Sequence, residues 1–248
     1  MFYAIFRRVM AMNGFSNHTF KDRRRPRGEQ GRNPYDGLRL WSALTHGAGA
    51  ALAVLGTVLL LLRAAEKGGM RTIIPFAVYG VTMIGLYTAS TLYHSVRTSV
   101  RGRVALRKYD HASIYFLIAG TYTPICLVAV RGIWGWSVFG VIWALAFGGL
   151  VLSLCWIMAP RWLTAGIYLF MGWLALTTVY PLKNSCPAEG FFWLFLGGVL
   201  YTIGGVCYAL KWPGRSNARF GCHEIFHLFI VLGSAAHFLL MYRVIVTL

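Results

Sequence analysis

The sequence predicts an all-α fold: a polytopic membrane protein built as a seven-transmembrane helix bundle, N-terminus inside and C-terminus outside. Three observations predict it. Of 248 residues, 57% are hydrophobic and only 12% are charged, where soluble domains carry roughly 25% charged residues. A soluble globule of this length has too little interior to hide so much apolar surface. The apolar residues fall in seven long runs, approximately 41–63, 71–96, 109–130, 133–157, 161–182, 191–211 and 222–246. The 24 Lys and Arg residues cluster between alternate runs.

Residues 1–40 are the only extended polar stretch. The segment RRRPRGEQGRNPYDG has too few apolar residues to fold alone. It reads as a basic, partly disordered cytoplasmic tail lying on anionic lipid. Residues 41–248 read as one membrane domain. A bilayer core about 30 Å thick takes about 20 apolar residues per helix. Backbone groups in lipid are satisfied only in helices or closed barrels. Continuous, non-alternating runs select helices. Span 1 opens with WSALTHGAGA, and span 2 carries Pro75 and ends with TASTLYH. Span 3 opens with YDHASIY and carries Pro124, while Trp134 and Trp136 mark the start of span 4. Span 5 starts beside Trp162 and ends near Pro181, Trp193 and Trp212 bracket span 6, and span 7 opens with CHEIFH. The prolines are expected to kink or end their helices. The tryptophans sit where interfacial anchors belong.

Orientation follows from the cations. With the N-terminus inside, eighteen Lys and Arg residues face the cytoplasm and six face outward. The net charge of +17 then reads as topology, not as a nucleic-acid surface. The five cysteines show no CxxC spacing. They are expected to be free thiols packed as small hydrophobes, with no disulfide framework.

This topology brings scarce polar residues to one depth. Span 2 ends, and spans 3 and 7 begin, at the cytoplasmic face. His94, Asp110, His223 and His227 therefore share one membrane level. An ionisable residue at membrane depth is costly and reads as functional. His223 and His227 lie at i and i+4, on one helix face about 6 Å apart. Ser90 and His94 repeat that spacing. Three histidines from two helices suit tetrahedral Zn2+ with a fourth position open for water. HEIFH also fits the H-E-x-x-H protease signature, with Glu224 as base. No third ligand follows at a suitable spacing, and His237 lies nearly three turns deeper. Cys222 and His46 are the rival ligands.

On these residues the chain resembles the haemolysin III family of the progestin and adipoQ receptor superfamily. The resemblance covers Trp41 to Leu248 and rests on WSALTHGAGA, YTASTLYHSV, LRKYDHASIYFLIAGTYTP and CHEIFHLFIVLGSAAH. It implies seven helices with an inside N-terminus. It places the family's histidine ligands on His94, His223 and His227, its aspartate on Asp110 and its serine on Ser90. One departure stands out. The family's first motif carries a glutamate and an asparagine where this chain has Arg39 and Ser42.

The expected function is metal-dependent hydrolysis of a membrane lipid amide or ester, since the superfamily resembles ceramidase-like enzymes. Zn2+ would supply Lewis acidity. Asp110 would hold the water and act as base, and Ser90 would donate to the water or to the developing oxyanion. Two alternatives stand beside it. In one, a structural zinc clamps spans 2 and 7 in a sensing or signalling protein. The other is the pore-like cytolysis that the family name implies, although the spans lack a charged stripe to line a wide channel. The expected partners are membrane lipids, and the expected location is the bacterial inner (plasma) membrane.

Overall fold

The computed structural model describes residues 38–156, 158–214, 217 and 220–248. The expected tail lies, apart from its last three residues, outside the described residues. Among the described residues there are no β-strands, and eight α-helices make seven spans long and apolar enough to cross a membrane. They are α1 (Leu40–Gly68), α2 (Met70–Ser95), α3 (Val100–Pro124), α4 (Gly132–Cys155), α5 (Arg161–Trp173), α6 (Leu176–Leu182), α7 (Ala188–Leu210) and α8 (Cys222–Leu239). α5 and α6 together form the fifth span.

Packing runs α1 to α2, α2 to α3, α3 to α5, α5 to α7, α7 to α8 and α8 back to α1. That closes a ring. α4 lies outside it, against α3. The helices approach closely where side chains are small, because lipid offers no hydrophobic drive for association. A Cβ at Gly120 of α3 would overlap the Thr82 side chain of α2. One at Gly80 of α2 would overlap Thr57 of α1.

Two departures from the expected spans have local causes. α3 begins at Val100, nine residues before the apolar run. Its polar first turns are held by neighbours: Ser99 Oγ accepts from Gly102 N at 3.3 Å, and Arg103 Nη1 donates to the Tyr93 and Val96 carbonyls, each at 2.8 Å. The two Arg103 bonds satisfy carbonyls at the end of α2 that the helix cannot satisfy itself. The fifth span is broken between Trp173 and Leu176. The Tyr122 hydroxyl of α3 lies 2.7 Å from the Met171 carbonyl and 2.8 Å from that of Gly172. A broken helix is tolerated at membrane depth when a neighbour supplies such a donor. Pro124 ends α3 as regular α-helix, and a π-helical stretch, Ile125–Val130, completes the span. Proline removes an i→i−4 bond at that point.

Candidate metal centre

The ring encloses a cavity of about 140 Å³. Its wall includes His223 and His237, fourteen residues apart on one helix, so it follows α8 for about 21 Å. Most of the wall is apolar. The end where α1, α3 and α8 begin and α2 ends carries His46, Ser90, Asp110, His111, His223 and His227.

His94 sits in the last turn of α2, directly behind His223. Its Nε2 is 3.2 Å from His223 Nε2, and that atom is 3.1 Å from His227 Nε2. All three nitrogens lie within 4.8 Å of one another, and His94 and His227 are buried. Tetrahedral nitrogen ligands about 2.0–2.1 Å from a zinc ion lie roughly 3.3 Å from one another. The spacing fits such an edge. The donor set fits as well. One proton can bridge two of the facing nitrogens, but it leaves a third lone pair directed at the same point. A cation resolves that conflict. The His94, His223 and His227 group could hold a metal ion.

The site is fixed from outside by a clamp. Arg39 N donates to the His94 carbonyl at 3.1 Å, and Arg39 Nη1 meets Glu224 Oε1 at 2.6 Å. Glu224 Oε2 accepts from Gly221 N at 2.8 Å, capping α8. Both carboxylate oxygens of Glu224 are thus engaged away from the histidines. Glu224, 2% exposed, serves as a structural acid in this arrangement. The residue that departs from the family pattern, Arg39, is its partner.

Ser90 and Asp110 are both buried in the cavity wall. The structure therefore brings Ser90, Asp110, His223 and His227 to one wall, with His94 behind. His46 stacks on His227 with ring centroids 3.8 Å apart, and both its ring nitrogens are buried without a partner. Its nitrogens are outside the three-histidine group. Cys222 is buried and free, and it is also outside that group. All five cysteines are free thiols. His237 lies at the far end of the cavity, with Nε2 3.3 Å from the Leu194 carbonyl.

Sequence reasoning missed the clamp role of Arg39 and the part Tyr122 plays at the break in the fifth span. A signal existed for Arg39. Glu224 opens an apolar span and needs a cation if buried. Nothing in the one-dimensional pattern marks Tyr122, because its partners come from a distant span.

The fold and this site define a class: a seven-helix membrane bundle with a buried histidine cluster at one end. The Haemolysin-III related family model matches residues 39–238, and the chain belongs to that family. It is 40% identical over 197 residues to the "Hemolysin-3 homolog" of Bacillus subtilis (strain 168), covering 79% of this chain and 89% of that protein. It is 36% identical over 198 residues to "Hemolysin-3" of Bacillus cereus, covering 79% and 87%. The human "Monocyte to macrophage differentiation factor" is 25% identical over 174 residues, covering 67% and 68%, which is consistent with the progestin and adipoQ receptor superfamily. Seven apolar spans and Bacillus relatives are consistent with a multi-pass protein of the bacterial plasma membrane.

Proposed function

We propose that this protein is a zinc-dependent hydrolase acting on an acyl amide or ester of a membrane lipid. The observation that carries the reading is the long apolar cavity that ends on histidines, a carboxyl group and a hydroxyl. An acyl chain fits such a wall, and a carbonyl at its head would then reach the polar end. His94, His223 and His227 would hold Zn2+, whose Lewis acidity acts on a water and on a carbonyl oxygen. Asp110 takes the proton of the attacking water as the new C–O bond forms. The same proton passes to the leaving nitrogen or oxygen as the C–N or C–O bond breaks. Ser90, beside Asp110 on the same wall, would donate its hydroxyl hydrogen to the water or to the forming oxyanion.

The test is hydrolysis of acyl amides and esters by the purified protein in detergent. Asp110→Ala is expected to lose at least a hundredfold in rate, within the range typical of a general base. Full activity in Asp110→Ala or His94→Ala refutes the reading. A second reading is favoured by one observation: the three histidines join α2 to α8. In that case the metal is structural. His→Ala variants would then melt at lower temperature, with no turnover of any lipid.

A further inference from the structure

We infer that the polar end of the cavity is built for a lipid carrying a phosphate one glycerol unit from its acyl carbonyl. This names the substrate class for the hydrolase reading and rests on it. Two arginines stand at the rim. Arg107 is one turn before His111 on α3, and Arg161 is one turn before Ala165 on α5. His111 and Ala165 both line the cavity.

Arg161 is the more telling. Its side chain is exposed, and its guanidinium lies 4.9 Å from the centre of the Tyr208 ring. Tyr208 lines the cavity, and its ring centre is 5.9 Å from that of His223. Taken through the shared ring, the cation and the histidine are within about 11 Å of each other. That is an upper limit, and a phosphate and an acyl carbonyl joined by a glycerol unit fall inside it. The aromatic face orients the guanidinium and leaves its N–H edge for an anion, which arginine binds in a fork. Among the described residues, no carboxylate lies within ion-pair distance of Arg161. The ion pairs there are Arg39 with Glu224 and Arg243 with Glu189, and the second lies at the opposite end of the bundle. Arg107 Nη1 lies 3.6 Å from Met158 Sδ, a weak acceptor. A membrane-facing cation needs no such placement to set topology. Here it is mounted on a ring of the cavity wall.

The probes are 1-oleoyl-lysophosphatidate, 1-oleoylglycerol and inorganic phosphate. Each is titrated onto the full-length protein in dodecyl maltoside, with binding read as Kd. The wild type is expected to bind lysophosphatidate at least tenfold more tightly than oleoylglycerol. Arg161→Gln is expected to remove most of that preference, and Arg107→Gln with Arg161→Gln to abolish it. Oleoylglycerol affinity should stay unchanged in both, which also reports that the variants are folded. If the double variant does not fold, Arg161→Gln alone carries the test. Equal affinity of the wild type for the two lipids overturns the inference, as does a preference that survives Arg161→Gln undiminished. Inorganic phosphate binding as tightly as lysophosphatidate overturns the lipid assignment in favour of a free anion. Binding is read here, not turnover. A lost preference therefore leaves the hydrolase reading standing, and an inactive protein leaves the anion site standing.

Discussion

Replacing Arg39 by alanine isolates the clamp at the site end of the bundle. The substitution leaves the Glu224 carboxylate buried at 2% exposure without its cation. Removing one partner of a buried ion pair costs about 3–5 kcal/mol. Arg39 is 16% exposed and Glu224 keeps the bond from Gly221 N, so the lower end, about 3 kcal/mol, is expected. The carboxylate also caps α8, whose first turn bears His223 and whose second bears His227. Freed of Arg39, Glu224 is expected to draw water into that turn and loosen the metal ligands. Groups that orient ligands typically change metal affinity by about 10–100-fold. The assay is zinc affinity by competition with a chromophoric chelator, together with thermal unfolding in detergent, for Arg39→Ala, Glu224→Gln and the double variant. Because the residues touch, the double variant should cost less than the two single changes together. An Arg39→Ala protein with wild-type melting and wild-type zinc affinity would refute the clamp. A loss of stability with unchanged zinc affinity would reduce it to a structural pair.

The remaining predictions concern the metal and the packing. Purified wild-type protein should carry about one zinc per chain, and His223→Ala with His227→Ala should carry none by atomic absorption. Equal zinc in both would overturn the ligand assignment. Tyr122→Phe removes the donor shared by the Met171 and Gly172 carbonyls. It should lower stability by about 1–2 kcal/mol in a denaturant titration, and an unchanged midpoint would mean those carbonyls are satisfied some other way. Gly120→Leu forces a side chain into Thr82 and should cost about 1–3 kcal/mol by the same titration. No loss there would show that α2 and α3 can part without penalty.

Much of the fold is legible in the sequence, because in lipid the backbone demands helices and the length of an apolar run sets the span. The break in the fifth span is not legible. It depends on Tyr122, fifty residues away, supplying a hydroxyl where the helix opens. The early start of α3 escapes hydropathy for a similar reason: Arg103 and Ser99 hold polar turns that no apolar pattern marks. The depth of the histidines follows from topology alone, since helix ends at one face meet whatever the packing. Which side chains then point inward does not follow. Glu224 and His227 are three residues apart on one helix, yet one faces Arg39 and the other the cavity. That choice was settled by Arg39, a residue whose type departs from the family pattern.

α3 ties these parts together. It lies in the most buried of the seven spans, while α4 is mostly exposed. Asp110 and His111 in its third turn face the cavity, Tyr115 packs where a Cβ at Gly149 of α4 would overlap it, and Tyr122 closes the break between α5 and α6. α4 contributes no side chain to the cavity wall. Its lipid-facing positions can therefore vary at little cost to the site, while the small residues that let Tyr115 seat cannot. A bulky residue at Gly149 would push on α3, and α3 carries Asp110. The chemistry proposed at Asp110 thus depends on a helix that never touches the cavity, through one ring packed against one glycine.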